Sequence, residues 1–211
     1  MFFIVHNAYV LTMNSSMDVF KDGCVAVEGS SILEVGGAEM LNRYPGFERI
    51  DAEGGILIPG LINAHTHSGM IPFRSLGDDV PDRLRRLLFP LEKLMTSELA
   101  CASASYACCE LIAAGTTTFV DMYFFEAEIA KVVQKAGLRA MLGETVVDFP
   151  TCDSLQPHGG LAYAETFIPS WLGNPLITPS SPPTPPTPTA PRKSWKLVGF
   201  RSAMASPLPC T

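Results

Sequence analysis

The chain has 211 residues, of which 47% are hydrophobic and 17% charged, and its formal net charge is −6. This composition supports a buried core and excludes a chain that is disordered throughout. The negative charge argues against a nucleic-acid partner, and no run reaches the roughly 18 apolar residues of a membrane helix. The six cysteines are scattered without a C-x-x-C pair, which indicates reduced thiols. We therefore expect a cytoplasmic protein with no nucleic-acid or membrane partner.

Composition is uneven along the chain. All 21 acidic residues lie at or before Glu165, whereas residues 176–211 contain four basic residues, nine of the 18 prolines and no acid. The stretch SSPPTPPTPTAP (180–191) lacks a periodic apolar pattern. We predict that residues 180–211 are a disordered, proline-rich tail, for which a linker or a ligand of SH3-type domains is the ordinary interpretation.

The first 57 residues predict a small β unit. The segment FFIVHNAYVLTM alternates imperfectly, and CVAVEGSSILEVGG has hairpin spacing around Gly29-Ser30. From Ile56 the pattern changes, because ILIPGLINAH is a mostly apolar strand candidate interrupted by Pro59-Gly60.

Helices and strands alternate after this strand. A helical region begins near Pro81 and should be broken by Pro90, and Ser97 can cap a second helix that Gly115 ends. The apolar β-α order is typical of parallel strands covered by helices and fits the first half of a (β/α)₈ barrel. A doubly wound sheet is the alternative, but no G-x-G-x-x-G follows the first strand. The later predicted elements are a strand over 116–124, a helix over 126–136, a strand over 138–147, a helix over 161–172 and a strand from 175.

Two histidines, His65 and His67, end the first strand of the predicted barrel. Residues i and i+2 of a strand point to the same side, and barrel active sites lie at that end of the strands. The pair therefore predicts a metal site, although H-x-H alone is a weak motif and two polar residues closing a loop are the alternative. We expect the remaining histidines, His6 and His158, to be exposed.

Longer motifs around this pair resemble a known family. P-G-L-I-N-A-H-T-H (59–67) resembles the opening motif of the amidohydrolase superfamily. R-S-L-G-D-D (74–79), F-P-L-E (89–92) and A-G-T-T-T-F-V-D-M-Y-F (114–124) resemble its aminohydrolase branch, which includes 5-methylthioadenosine/S-adenosylhomocysteine deaminases and triazine chlorohydrolases. The resemblance covers about residues 1–179. It implies a TIM barrel, with 58–179 as its first half, and a small β-sandwich to which 1–57 contribute.

The resemblance also implies a chemistry. Such enzymes hold one zinc or iron ion, with His65 and His67 as the first two ligands, and use Glu92 to contact a substrate hydroxyl. Metal-activated hydroxide attacks a ring carbon bearing an amino group, and ammonia leaves. The expected substrate is a small purine-like or related heterocycle. For Glu92 a solvated helix carboxylate is the alternative, and Asp121 and Asp148 are expected to hold loops.

The family takes its remaining metal ligands from later strands, which have no counterpart in this sequence. We therefore expect an incomplete and inactive fragment, with no residue assigned as the catalytic acid or base and the oligomeric state left open. A non-catalytic truncated product, or an interaction protein using the proline-rich tail, is the alternative function.

The tail permits a second interpretation. Where the family's fourth strand runs into a motif like A-P-H-A-P-Y-T, this sequence has S-P-P-T-P-P-T-P (181–188). A reading frame slipped by one base makes 181–189 compatible with L-A-P-H-A-P-Y-T-N. The same slip makes 204–211 compatible with x-G-V-P-L-T-M-H, which resembles the next family strand. We therefore favour a frameshift near codons 178–181. DNA sequencing across these codons tests the hypothesis, because an intact reading frame would exclude it.

Overall fold

The structure, a computed structural model, describes residues 1–180. The predicted disorder and the frameshift hypothesis concern the tail, which apart from Ser180 lies outside the described residues. Residues 1–180 form two sheets, one from residues 2–57 and one from residues 61–179. None of the helices in this part of the chain is long and apolar enough to cross a bilayer.

The first sheet contains five strands and lies in the segment for which a small β unit was predicted. They are β1 (Phe2–Leu11), β2 (Val19–Glu28), β3 (Ser31–Gly37), β4 (Glu48–Asp51) and β5 (Ile56–Leu57), with a short helix α1 (Met40–Arg43) before β4. Strands β1, β2 and β3 form an antiparallel meander, and the predicted turn at Gly29-Ser30 joins β2 to β3. Strands β4 and β5 both pair with β1 in parallel. A small core of Ile4, Cys24, Ala26 and Met40 packs α1 against this sheet.

The second sheet contains four parallel strands in the order of the chain. They are β6 (Leu61–Thr66), β7 (Thr116–Tyr123), β8 (Arg139–Glu144) and β9 (Ile177–Pro179). The helices are α2 (Phe89–Glu92), α3 (Ser97–Ala113), α4 (Glu126–Ala136) and α5 (Gly160–Trp171). The predicted helices and strands over 97–179 are therefore confirmed, with ends that differ by up to three residues.

Helices α3, α4 and α5 cover one face of the second sheet. Phe119 of β7 and Leu142 of β8 are fully buried and belong to one apolar core with residues of all three helices. In β7 the buried residues Phe119, Asp121 and Tyr123 alternate with half-buried Val120 and Met122, which lie on the opposite face. A doubly wound sheet carries helices on both faces, so this arrangement favours the barrel.

The strand predicted from ILIPGLINAH is divided between the two sheets. Residues 56–57 pair with β1, and residues 61–66 pair with β7. Pro59 and Gly60 lie between these pieces, and the backbone of Gly60 passes close to Thr117, where a Cβ would lie 2.2 Å from Cγ2. Glycine fits this close approach because it has no side chain.

The prediction that Pro90 breaks the helical region is wrong. A short π-helix, residues 84–88, leads directly into α2, and Pro90 lies in the first turn of α2. The Phe89 N–H reaches back to the Leu84 carbonyl across this wide turn. A proline in the first turn of a helix removes no bond that the helix needs, so the chain stays helical through Glu92.

The cap of α3 lies one residue before the predicted one. The Thr96 side chain, not that of Ser97, accepts a hydrogen bond from the Leu99 N–H at 3.2 Å. Ser97 lies within the helix, where a hydroxyl has no capping role.

Replacing this cap should destabilise the second sheet. We expect Thr96→Ala to lower the free energy of unfolding by about 1 kcal/mol, because an N–H of the first turn loses its acceptor. Ser97→Ala is the matched control and should change it by only a few tenths of a kcal/mol. Urea unfolding followed by far-ultraviolet circular dichroism measures both variants, and equal losses would contradict the assignment.

Candidate metal and substrate site

The two predicted histidines lie at the carboxyl end of β6, where His65 is exposed within the strand and half-buried His67 follows its last residue. Thr66 stands between them, and its Oγ1 lies 2.8 Å from Oδ1 of Asp121, on the helix-covered face. Strand β6 is irregular between Asn63 and Thr66, so strand alternation does not set the direction of the two rings. Their ring centroids are 4.9 Å apart with an interplanar angle of 80°. The structure therefore brings the pair together.

A backbone carbonyl fixes the tautomer of His67. Its Nδ1 lies 2.7 Å from the Met122 carbonyl oxygen. A carbonyl only accepts hydrogen bonds, so Nδ1 must carry the proton and donate it, which leaves the lone pair of Nε2 free in the neutral ring. Histidine ligands of metals commonly use their second ring nitrogen in this way. The Nε2 lone pair of His67 is therefore available to accept a bond.

Asp121 holds the chain on both sides of His67. One carboxylate oxygen accepts the Ser68 N–H at 2.9 Å, and the Ser68 hydroxyl bonds the other. The Thr66 hydroxyl reaches the same carboxylate. Asp121 is 1% exposed, so these bonds are shielded from water. This is the loop-holding role expected of Asp121, whereas Asp148 is exposed beyond the end of β8.

Glu92 lies beside the histidines and is buried, with 7% exposure, so the alternative of a solvated carboxylate is wrong. The Tyr123 hydroxyl donates to Oε1 of Glu92 at 3.2 Å, and the Tyr123 ring centroid is 6.5 Å from that of His67. Burial raises the pKa of Glu92, while the bond from Tyr123 and the nearby His67 lower it. Gly69 makes room for Tyr123, because a Cβ there would lie 2.2 Å from the ring.

Two further carboxyl groups are buried at the amino end of α4. Oε2 and Oε1 of Glu144 accept the N–H groups of Glu126 and Thr145 at 3.2 and 3.1 Å. Burial, then the charge of Asp153, raises the pKa of Glu144 well above its usual range. Glu144 therefore caps α4, on the helix side of the sheet.

Glu126 is fully buried. Neither of its side-chain oxygens makes a hydrogen bond of ordinary geometry within residues 1–180. Burial raises its pKa well above the usual range, the charges of Asp121 and Glu144 raise it further, and the backbone N–H of Tyr123 lowers it. Such a group is held most easily as a neutral acid.

The remaining histidines do not join the pair. His6 is half-buried in β1, in the other sheet, and His158 is exposed in the loop before α5. In the described part of the chain, no three His, Cys, Asp or Glu side chains lie close enough together to hold a metal ion. The donor set thus fits two ligands of a metal and falls short of the roughly three that a catalytic zinc takes from protein.

Helices on one face of a parallel sheet and two imidazoles at the end of its first strand are the arrangement expected for the first half of a barrel. The Amidohydrolase family profile matches residues 56–186. The chain belongs to the amidohydrolase family.

Curated relatives are deaminases. The chain is 38% identical over 172 residues to the 5-methylthioadenosine/S-adenosylhomocysteine deaminase 1 of Syntrophus aciditrophicus, covering 80% of this chain and 39% of the relative. It is 40% identical over 174 residues to such a deaminase of Syntrophobacter fumaroxidans, covering 81% and 40%. It is 38% identical to the 5′-deoxyadenosine deaminase of Methanococcoides burtonii, covering 81% and 38%. The chain thus spans about two fifths of the length of these relatives.

Solved structures share the fold. An adenosine deaminase from Xanthomonas campestris with bound zinc superposes with a TM-score of 0.73 at 27% identity, covering 85% of this chain and 42% of that one. A guanine deaminase from C. acetobutylicum gives 0.76 at 22% identity, covering 87% and 46%. The barrel prediction is confirmed by these matches, for the amino-terminal part that this chain contains.

Sequence reasoning missed Tyr123 and Glu126. Tyr123 ends a strand whose aromatic and apolar residues all suit a core, so nothing in the sequence links it to Glu92, 31 positions earlier. Glu126 opens a helix, where acidic residues are ordinary and usually exposed. The positions of both depend on contacts between distant parts of the chain.

Proposed function

We propose that residues 1–180 are the amino-terminal part of a divalent-metal hydrolase that deaminates a small adenosine-like heterocycle. The observation that carries the proposal is the fixed tautomer of His67, whose Nδ1 donates to the Met122 carbonyl. The names of the relatives, deaminases of 5-methylthioadenosine, S-adenosylhomocysteine or 5′-deoxyadenosine, support the substrate class. Zinc in the Xanthomonas structure supports the kind of metal, with iron the alternative.

In this proposal His65 and His67 hold the ion at the carboxyl end of β6. A bound divalent ion would supply hydroxide near neutral pH by lowering the pKa of water. The Met122 carbonyl keeps the His67 ring oriented, and Asp121 keeps the backbone on both sides of it in place. These contacts set the direction of Nε2 before any ligand arrives.

Glu92 is proposed as the substrate contact. Among the described residues only its Oε1 is engaged, by the Tyr123 hydroxyl, so Oε2 is available to accept a hydrogen bond from a substrate hydroxyl. Burial of Glu92 strengthens such a bond, because a low local dielectric increases electrostatic attraction. We propose further that 1–57 are part of a β-sandwich, that 58–179 are half of the barrel, and that the 211-residue chain alone is inactive.

A chimeric enzyme tests the function. Residues 1–179, joined to the carboxyl-terminal remainder of the Syntrophobacter relative, should release ammonia from 5′-deoxyadenosine, while the 211-residue chain should not. In the chimera His67→Ala should lower kcat/KM by about 100-fold or more, since even residues that only support a ligand change activity by 10–100-fold. His158→Ala, an exposed histidine, is the matched control and should leave kcat/KM unchanged.

Two outcomes would contradict the proposal. A folded chimera that binds metal yet deaminates no adenosine-like compound would exclude the substrate class. Equal activity of His67→Ala and His158→Ala would exclude the ligand assignment.

For Glu92→Ala we expect KM to rise with a substrate that carries the contacted hydroxyl, and to stay unchanged with an analogue that lacks it.

A further inference from the structure

We propose that the loop between β8 and α5, residues 145–159, is a pH-sensitive strap beside Tyr123 and Glu92, which one proton shared by Glu144 and Asp153 holds closed. That the strap regulates substrate binding rests on the function proposed above. Its closure does not.

The strap is a compact loop whose ends meet. Strand β8 ends at 144 and α5 begins at 160, which leaves 15 residues between them. At the two ends the backbone of Gly160 passes against the Thr145 carbonyl, too close for a Cβ, and the His158 N–H donates to the Val147 carbonyl at 2.7 Å. A loop of this length with adjacent ends belongs to the Ω class, which is frequently functional.

Two contacts attach the strap to the segments that carry Tyr123 and Glu92. The Thr145 N–H donates to the Tyr123 carbonyl at 2.8 Å. The Phe149 ring packs against that of Phe89, with centroids 4.9 Å apart. Because Phe89 and Glu92 are three positions apart in α2, they lie on one side of this helix. The strap therefore contacts both segments joined by the hydrogen bond from Tyr123 to Glu92.

A third contact fixes the strap to the amino end of α4. One carboxyl oxygen of Asp153 accepts the Phe125 N–H at 3.0 Å, and the other accepts the Thr151 hydroxyl at 2.7 Å. Phe125 is left-handed, with φ 62° and ψ 34°. A bulky residue persists in this conformation only where its surroundings hold it. Asp153 is thus one of the groups that hold the start of α4.

Glu144 occupies the next N–H of the same turn, that of Glu126. Two carboxyl groups therefore meet at one helix end, and the side chains of Glu144 and Asp153 are within hydrogen-bonding reach of each other. An ionised carboxylate only accepts hydrogen bonds, so a bond between the two requires a proton on one of them. Two like charges at one buried site also favour retention of that proton.

The titratable groups around this pair do not offset a second negative charge. They are Glu126 of α4, Cys152 of the strap, Tyr163 of α5 and Asp121 of β7. Burial raises the pKa of the Cys152 thiol and of the Tyr163 hydroxyl, so both stay neutral. Loss of the shared proton adds charge to a group of acids, and the repulsion favours release of Asp153.

Closure of the strap binds a proton, because the pair holds it more tightly than separated carboxyl groups would. Burial and the charge of Asp153 raise the pKa of Glu144 in the closed strap. Between the ordinary glutamate pKa of about 4.3 and this raised value, the equilibrium constant for closing falls about 10-fold for each pH unit. The strap is therefore closed in acid and released as pH rises through this window.

Hydrogen exchange of the 211-residue chain, followed by mass spectrometry between pH 5 and 8, tests the strap. After correction for the intrinsic pH dependence of exchange, we expect the protection of segment 124–128 to fall about 10-fold or more across this range, and that of β7 to fall less. Asp153→Asn keeps an oxygen for the Phe125 N–H and has no proton to lose, so it should abolish the fall. Asp148→Asn, at an exposed aspartate of the same loop, is the matched control and should behave as the parent chain.

Three results would overturn the strap. They are an unprotected segment 124–128 at pH 5, a fall that Asp153→Asn leaves unchanged, and an equal fall in β7, which would indicate global unfolding. In the chimeric enzyme, release of the strap should raise KM for 5′-deoxyadenosine between pH 6 and 8, and Asp153→Asn should flatten this rise without changing kcat. An active chimera whose KM profile Asp153→Asn does not alter would overturn the regulation alone. An inactive chimera would overturn the proposed function and the regulation, while the exchange result would still decide the strap.

Discussion

Asp121→Ala should lower the free energy of unfolding of the second sheet by about 1–3 kcal/mol, the cost of leaving a buried donor without its acceptor. The Ser68 N–H, the Ser68 hydroxyl and the Thr66 hydroxyl all use the Asp121 carboxylate. Alanine would leave the two Ser68 donors without this acceptor at a position that is 1% exposed, whereas the Thr66 hydroxyl keeps the Val120 carbonyl oxygen at 2.9 Å. Urea unfolding followed by circular dichroism measures the loss.

The same substitution should disturb the histidines, because Thr66 and Ser68 flank His67. In the chimeric enzyme we expect the metal affinity to fall about 10–100-fold, as it does when a residue supporting a ligand is removed. Asp148→Ala is the control, since Asp148 is an exposed aspartate beyond the neighbouring strand. It should change stability by less than about 0.5 kcal/mol. Similar behaviour of the two variants would contradict the anchoring role of Asp121.

Local patterns predicted the elements whose structure depends on nearby residues. Helix α4 occupies 126–136 as expected, because its apolar residues recur at helical spacing and Gly137 follows in a left-handed conformation. The alternation of strands and helices predicted a parallel sheet, because each strand is short, apolar and bounded by turn residues. The two-residue period of a strand predicted that the histidines lie together, and their ring centroids are 4.9 Å apart although β6 is irregular between Asn63 and Thr66.

Other features depend on contacts that no local pattern encodes. The segment around Pro59 divides between two sheets, because Ile56 pairs with Tyr9 of β1 and Leu61 pairs with Thr116 of β7. Each of these partners lies more than 45 positions away along the chain. Glu92 is buried, and its carboxylate accepts a hydrogen bond from the hydroxyl of Tyr123, at the end of a distant strand. A sequence shows which residues can ionise or donate, and the fold alone decides which of them meet.

Glu126→Gln should stabilise the protein at pH 8, because the parent chain must bind a proton at Glu126 on folding and the variant need not. Neither side-chain oxygen of Glu126 makes a hydrogen bond of ordinary geometry among residues 1–180, and its pKa is raised because of burial and the charges of Asp121 and Glu144. Between the ordinary glutamate pKa of about 4.3 and the raised native value, the folded chain therefore binds more protons than the unfolded chain. The free energy of unfolding then falls as pH rises through that window. Glutamine has no proton to lose.

The advantage of Glu126→Gln should accordingly shrink toward zero near pH 4, where the unfolded chain is protonated too. Urea unfolding at pH 4, 6 and 8 measures the difference. Glu128→Gln on the same helix is the matched control, because Glu128 is partly exposed and pairs with Lys131. Its effect should stay within about 0.5 kcal/mol, as for ordinary surface substitutions. Parallel pH dependences of Glu126→Gln and the parent chain would contradict proton binding by Glu126 on folding.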